Sequence, residues 1–247
     1  MNHKKMKAVV LAAGKGTRLQ TEGCDLPKVM RIAAGQPLLH YVLDAISFIP
    51  PKDTILVVGY GQERVRAHFV GYPFAEQTEQ LGTGHAVMAA KEYLTTGCPI
   101  LVCCGDMPLL RRDTYAALAD THLQQGNVCT MLTGETHLNL PFGRIVRNES
   151  DKFQQIIEER DCTPGQRAIP ERNAGVYIFD SRALLDGLRQ LKCDNSQGEY
   201  YLTDVPAILQ AKGAKIGICK RNLGNEIIGV NTIEELKQVE QLLQETI

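Results

Sequence analysis

The sequence predicts an α/β fold: a Rossmann-like, mostly parallel sheet with helices on both faces and a small antiparallel insertion in its later half. Three observations predict it. Over the first 133 residues short apolar runs alternate with amphipathic stretches, the pattern of strands buried on both faces by crossover helices. From about residue 134 the alternation gives way to short, half-polar runs suited to antiparallel strands. The 247 residues are 44% hydrophobic and 22% charged, an ordinary globular composition with enough apolar surface for one large domain.

Taken in order, residues 7–13 are continuous Val, Leu and Ala ending at Gly14 and read as a buried strand. Residues 36–48 place Leu38, Leu39, Val42, Leu43, Ala45 and Ile46 at helical spacing. A strand over 54–59, a helix over 84–94, a strand over 99–104, a helix over 114–123 and a strand over 128–133 follow. In the insertion, 143–147 and 153–159 read as short antiparallel strands, 160–172 as a polar loop and 173–180 as a strand. Helices over 183–191 and 202–212, a strand over 215–219 and a helix over 232–243 close the chain. Thr232 is the expected N-cap of that last helix, with Glu235 at N3. Residues 1–247 thus form one domain: a first half to about 133, the insertion to about 180, and closing elements from 181. Ligands of such folds bind at the carboxyl ends of the strands, which puts the chemistry just after residues 13, 104 and 180.

Several functions are excluded. A net charge of -1 does not suit sequence-independent binding of nucleic acid. No apolar run reaches the ~18 residues of a membrane span. The basic start followed by a short apolar run ending in Gly14-Lys15-Gly16 lacks a small-residue cleavage site and makes a poor signal peptide. The eight cysteines contain no Cys-x-x-Cys pair, so a zinc ribbon or thioredoxin-type motif is ruled out. Four of them, Cys103, Cys104, Cys129 and Cys219, sit in strand-like runs. Buried, reduced thiols imply a reducing compartment and hence the cytoplasm.

The first chemistry-bearing segment is Leu11-Ala12-Ala13-Gly14-Lys15-Gly16-Thr17-Arg18. Two glycines in three residues permit positive φ and close backbone approach to a ligand. Successive free N–H groups can form an anion-binding concavity, and Arg18 adds a cation with bidentate reach to phosphate. The dinucleotide fingerprint fails because Leu19 stands where Gly or Ala is required, and the P-loop pattern is absent. Alone, the segment reads equally as a plain strand-to-loop turn. In Asp25-Leu26-Pro27-Lys28 the proline presets an extended turn from which Lys28 can project back to the same place.

Together these two segments resemble the signature of the sugar-phosphate nucleotidylyltransferases. Downstream, Gln77-x-x-Gln80-Leu-Gly82-Thr83-Gly-His85-Ala86 resembles the uridine-binding segment of the N-acetylglucosamine-1-phosphate uridylyltransferase family, and Gly105-Asp106-Met-Pro-Leu109 its metal-aspartate motif. Phe142-Gly143-Arg-Ile145, Ile157-Glu158, Glu171-x-Asn173-x-Gly175, Gly198-Glu-Tyr-Tyr201-Leu-Thr203-Asp204 and Gly229-Val-Asn231 follow in the family's order. The resemblance runs from about residue 7 to the end of the chain.

The resemblance implies transfer of UMP from UTP to a sugar 1-phosphate with release of pyrophosphate. Arg18 and Lys28 would be catalytic. Leu11, Ala12, Ala13, Gly14, Gly16, Thr17, Gln77, Gln80, Gly82 and Thr83 would bind the nucleotide. Gly143, Glu158, Asn173, Tyr201 and Thr203 would bind the sugar phosphate. Asp106 and Asn231 would hold the cofactor, Mg²⁺. One carboxylate and one amide leave most of an octahedral shell for phosphates and water. Without the motif, Asp106 reads as a turn aspartate before Pro108 and the glutamines as solvated loop residues. Glu159 rivals Glu158, since a one-residue slip inverts faces in a strand, and His85 reads as a structural or helix-start residue. The implied partners are UTP and the sugar phosphate, with no nucleic acid and no membrane, in a monomer or weak homo-oligomer.

The sequence departs from the family in a longer stretch between Leu19 and Asp25, in Cys104 and Met107 beside the metal segment, and in Ala174 after Asn173. Bifunctional members continue into a hexapeptide-repeat β-helix that acetylates glucosamine 1-phosphate. These 247 residues contain no such repeat, so uridylyl transfer alone is expected. The rival readings are a UTP- or dTTP:glucose-1-phosphate nucleotidylyltransferase and a non-catalytic sugar-nucleotide-binding module.

Overall fold

The computed structural model describes residues 6–19, 25–94, 97–136 and 140–245. Most of the stretch between Leu19 and Asp25, with Cys24, lies outside the described residues. In chain order the strands are β1 (Lys7–Ala12), β2 (Ile32–Ala33), β3 (Gln36–Pro37), β4 (Thr54–Val58), β5 (Phe74–Glu76), β6 (Pro99–Cys104), β7 (Cys129–Glu135), β8 (Arg144–Arg147), β9 (Phe153–Ile157), β10 (Glu171–Asp180) and β11 (Ile216–Asn222). The helices are α1 (Leu38–Ala45), α2 (Gln62–His68), α3 (Thr83–Ala89), α4 (Arg112–Gln125), α5 (Pro164–Arg167), α6 (Ser181–Leu188), α7 (Val205–Ala211) and α8 (Ile233–Gln244).

Seven strands form the spine of the sheet in the order β11-β7-β10-β6-β1-β4-β5. Strands β1, β4, β5 and β6 pair in parallel, as do β7 and β11. Both faces are covered because alternate side chains of each strand feed different cores. Ala8, Val10, Leu56, Val58, Leu101 and Cys103 pack with residues of α1 and α4. Val9, Ile55, Val57, Ile100 and Val102 pack on the other face with residues of α3, α6 and α7. This double burial is why these strands read as continuous apolar runs. The expected antiparallel insertion is present as the β8–β9 hairpin, which joins the sheet where Arg172 of β10 pairs with Arg144 of β8.

Strand β10 is reversed: it runs antiparallel to both β6 and β7, with Asp180 opposite Pro99 and Tyr177 opposite Val102. Its carboxyl end therefore lies beside the start of β6, away from Cys104, and the chemistry expected after residue 180 is not there. Asp180 instead caps α6, accepting from the N–H groups of Arg182 and Ala183 at 3.0 Å. It is the beginning of β10, around Asn173, that reaches the ligand edge of the sheet.

Smaller differences have local causes. The expected helix over 36–48 starts only at Leu38, after the β2–β3 hairpin, whose turn puts Ala34 and Gly35 at positive φ. Helix α2 and strand β5 escape the pattern because α2 buries only Val65 and β5 has three residues. The expected loop over 160–172 contains α5, started by a Thr163–Gln166 capping box.

Candidate active site

Three adjoining clefts open at the carboxyl edge of the parallel strands, of about 250, 360 and 210 Å³. Lys28, Asp106 and Asn231 each line two of the three and mark their junction. Asp106 follows the end of β6. Asn231 sits just before α8, where its N–H and that of Thr232 donate to the Glu235 carboxylate at 2.6 and 2.9 Å. Thr232 Oγ1 accepts from the N–H of Glu235 in return, completing the expected capping box. The two segments are tied directly, with the Val230 N–H donating to the Asp106 carbonyl at 3.0 Å.

The Lys28 ammonium stands between these two residues. It donates to Asn231 Oδ1 at 2.7 Å and is ion-paired with the Asp106 carboxylate. A cation is thus already coordinated by the two oxygens that the sequence nominates for a metal, so the donor set fits a hard divalent ion. Among the described residues no three His, Cys, Asp or Glu side chains cluster as a metal site. A metal held by Asp106 and Asn231 would leave the rest of its shell to substrate and water.

The glycine-rich loop brings Lys28 to this place. Gly16 has φ +64°, and a Cβ there would lie 2.9 Å from Lys28 Cβ, so the second glycine serves a close approach as well as a backbone conformation. A Cβ on Gly14 would meet no protein atom, and that side of the loop is open. Thr17 and Arg18 lie on a short 3-10 turn, with Arg18 exposed and lining both the second and third clefts.

Leu11, Ala13, Gly14, Gln77, Gln80, Gly82 and Thr83 line the first cleft. Ala12 does not: its side chain is buried in the core. Gln77 is buried, and its Nε2 donates to the Gly82 carbonyl at 3.2 Å and lies 3.2 Å from His85 Nδ1. With the nitrogen engaged, the Gln77 carbonyl oxygen is the end left for a ligand. His85, in turn stacked with Tyr200 at 6.4 Å, has the structural role expected for it. Gly82 (φ +100°) and Gly84 do not face the cleft with their open sides. A Cβ on either would lie within 2.9 Å of the Tyr200 carbonyl oxygen, and one on Gly84 would lie 2.4 Å from Leu191. They let the 80–86 segment dock on residues 199–202, secured by Gly84 N–H to Tyr200 O (2.7 Å) and Leu202 N–H to Thr83 Oγ1 (3.1 Å).

The second cleft holds Glu158, just after β9. Its Oε1 accepts from Thr203 Oγ1 at 2.9 Å. Burial raises the Glu158 carboxyl above the ordinary glutamate range. The Thr203 hydrogen bond opposes this, and Asp204, Asp161 and Glu199 add to it. Glu159 lines the same cleft but is paired with arginines, Arg144 at 2.5 Å and Arg167 at 3.2 Å. Gly143 carries the carbonyl that accepts from the Asn173 N–H at 2.9 Å.

Asn173 is buried and its amide is used internally. Nδ2 donates to the Tyr177 hydroxyl at 2.6 Å, and Oδ1 accepts from the Gly175 N–H at 3.2 Å. It organises the irregularity in β10 between Asn173 and Tyr177, where Gly175 takes φ +69°. Ala174 and Gly175, rather than Asn173, line the cleft. Tyr201 is likewise buried, its hydroxyl accepting from Gln197, and Gln197 is the side chain that lines the cleft. Sequence reasoning missed Gln197 and also Glu199, which lines the first cleft. Both belong to the 198–204 motif or precede it by one residue. It also missed Gly59, where a Cβ would lie 3.0 Å from Gln80 Nε2 and from Ala13 Cβ.

Comparison with known proteins gives consistent findings. The MobA-like NTP transferase domain family matches residues 8–204. The chain is 39% identical over 244 residues to the bifunctional protein GlmU of Alkaliphilus metalliredigens, covering 98% of the chain and 53% of that protein. It is 41% identical over 243 residues to GlmU of Streptococcus sanguinis, covering 97% and 52%. The chain spans about half the length of these curated relatives. A Bacillus anthracis protein assigned as a glucose-1-phosphate thymidylyltransferase and solved with sucrose shares the fold, with a TM-score of 0.74 at 17% identity over 97% of this chain and 96% of that one.

Proposed function

Since the chain belongs to the MobA-like NTP transferase domain family and is a nucleotidylyltransferase, we propose that it transfers UMP from UTP to N-acetylglucosamine 1-phosphate, dependent on Mg²⁺. The products are UDP-N-acetylglucosamine and pyrophosphate. The observation that carries this reading is the junction itself: Asp106 and Asn231 converge on one cation where the three clefts meet.

The reacting nucleophile is a phosphate monoester oxygen. Its second pKa is about 6, so it is anionic at neutral pH without a base. It attacks the α-phosphorus in line, and the bond to the bridging oxygen breaks with its electrons leaving on pyrophosphate. The attack is direct, so the reading calls on no enzyme nucleophile. The task is to bring two polyanions together, and positioning with charge neutralisation accomplishes it. Arg18 holds the departing pyrophosphate, and Lys28 bridges the α-phosphate and the sugar phosphate. When bound at Asp106 and Asn231, Mg²⁺ supplies further charge neutralisation at the phosphates. The loop from Ala13 to Gly16 contributes backbone N–H groups, and the Gln77 oxygen accepts from a uracil N–H. Glu158 accepts from sugar hydroxyls, in a wall whose shape is set by Asn173 through Gly175 and by Tyr201 through Gln197.

Pyrophosphate release across a panel of nucleoside triphosphates and sugar 1-phosphates, with and without EDTA, tests the reading. N-acetylglucosamine 1-phosphate should exceed glucose 1-phosphate in kcat/KM by at least ~100-fold, because polar groups left unpaired by the wrong sugar discriminate strongly. Comparable values for the two sugars would transfer the assignment to a glucose-1-phosphate nucleotidylyltransferase. No release with any pair would leave a sugar-nucleotide-binding module.

A further inference from the structure

Asp106 and Asn231 come from segments far apart in the chain, and the hydrogen bond from Val230 to the Asp106 carbonyl is too local to set their side chains by itself. A second tie lies beneath it. Glu226, on the short turn Gly224–Ile227, is 7% exposed. Its carboxylate receives four hydrogen bonds from the segment that follows Asp106. The Arg111 N–H donates to Oε2 at 3.1 Å, Arg111 Nε and Nη2 donate to Oε1 at 3.0 and 2.6 Å, and Thr114 Oγ1 donates to Oε2 at 2.6 Å. Both oxygens are thus saturated by donors more than a hundred positions away in the chain, one of them the fully buried Thr114. A buried carboxylate with two donors on each oxygen has one low-energy position, and displacing it leaves several polar groups unpaired.

We propose that Glu226 is a positioning residue for the cation site: by clamping residues 224–231 to the start of α4, it fixes the spacing between Asp106 and Asn231. This rests on the assignment of those two residues as metal ligands. The chemistry of Glu226 distinguishes it from an ordinary core residue, because its bonds join only the two segments that carry the ligands. Groups that orient metal ligands change metal affinity by about 10–100-fold when altered, so Glu226 is expected to act on metal affinity before it acts on nucleotide affinity.

The test uses the full chain, Mn²⁺ as a spectroscopic substitute and UTP. Free Mn²⁺ is followed by electron paramagnetic resonance against a protein-free Mn²⁺–UTP mixture, so that only the further loss of signal counts as binding to the protein, and pyrophosphate release is titrated with Mg²⁺. Glu226→Gln keeps the shape but cannot accept all four bonds, and Thr114→Val removes one donor with little change of volume. Both variants should weaken Mn²⁺ binding in the presence of UTP, by about tenfold or more for Glu226→Gln. Saturating Mg²⁺ should restore most of kcat, and UTP binding measured without metal should be unchanged. Should Glu226→Gln fail to fold, Thr114→Val carries the test through a smaller shift of the same sign. Unchanged metal affinity in a folded variant, or equal losses of UTP and metal affinity, overturns the positioning role. If the wild-type protein with UTP does not bind Mn²⁺ at all, the metal assignment falls instead.

Discussion

The first and second clefts are built from different materials. The wall of the first is largely main chain and small residues, Ala13, Gly14 and Gly82, with amide side chains from Gln77 and Gln80. It sits at the ends of parallel strands. The second is walled by Glu158, Arg160 and Phe142 flanking the β8–β9 hairpin, by Ala174 and Gly175 of the reversed strand β10, and by Gln197 from the segment between α6 and α7. Charge is graded along the clefts and not split between these two: Arg18 and Lys28 flank the third cleft beside the glycine-rich loop, whereas Glu158, in the second, lies near Asp161, Glu199 and Asp204. Under the proposed reading, a phosphorylated sugar would be oriented by this gradient, phosphate toward the cations and hydroxyls toward the carboxylates. The difference teaches that one side is selected for backbone approach and the other for side-chain hydrogen bonding, and substitutions should divide accordingly.

The largest effect is expected at the junction, which belongs to both sides. Asp106→Ala should lower kcat/KM by about a thousandfold or more, equivalent to about 4 kcal/mol of transition-state stabilisation, with Asn231→Ala following. Steady-state kinetics at saturating Mg²⁺ checks this, and full activity of Asp106→Ala would remove the metal assignment. Next, Arg18→Ala should lower kcat by about a hundredfold while changing UTP binding much less, because charge on the leaving pyrophosphate grows in the transition state. A defect confined to KM for UTP would place Arg18 in uniform binding. Lysine should not restore the full rate, lacking the bidentate fork.

On the sugar side, Glu158→Gln should raise KM for the sugar phosphate by about tenfold, as expected for weakening a hydrogen bond to a charged group, and leave KM for UTP nearly unchanged. The same substitution should stabilise the protein at neutral pH. Because the folded-state pKa of Glu158 lies above its unfolded value, the native form binds the extra proton. Wild-type stability therefore rises as pH falls from that raised value toward the ordinary glutamate range. The advantage of Glu158→Gln should shrink across the same window, read from Tm as a function of pH. A constant difference in Tm would show that the carboxylate is not held at a cost. The smallest catalytic effect is expected from Gly84→Ala, whose added methyl meets Leu191 and the Tyr200 carbonyl. It should cost about 1–3 kcal/mol in denaturant unfolding with KM for the sugar phosphate retained.

Much of the first cleft was legible because its determinants are local in sequence. Gly14 to Arg18 follow a strand that anyone can see as an apolar run, and Gln77 to Thr83 lie within seven residues. The second cleft was less legible. Strand β10 has the same apolar character whichever way it runs, and only its pairing with β6 and β7 shows that Asn173, not Asp180, reaches the ligand edge. Asn173 was named a ligand group by the resemblance. Its type is right for a sugar hydroxyl, but the bulge before Tyr177 turns its amide inward. Gly82 was placed among the nucleotide-binding residues and does line the first cleft, but the space that Gly82 and Gly84 leave open is filled by Tyr200. The Glu226 clamp had no sequence signal, since its donors lie 112 and 115 positions away. The choice between Glu158 and Glu159 was open in the sequence; both line the second cleft, and Glu159 is the one paired with arginines.

The bridging ammonium of Lys28 has a consequence for the order in which ligands assemble. An ion that seeks Asp106 and Asn231 competes with a cation already attached to the chain, so its affinity is reduced by the free energy of that attachment. A polyphosphate offers Lys28 an alternative anion and relieves the competition. Nucleotide and metal should therefore favour one another reciprocally, each tightening the other by the same factor. Calorimetric titration of Mn²⁺ with and without UTP measures that factor. In Lys28→Met, Mn²⁺ should bind more tightly on its own, and the factor should fall to the part that comes from direct contact between the metal and the phosphates; binding no tighter than in the wild type would mean that the tether exerts no such antagonism.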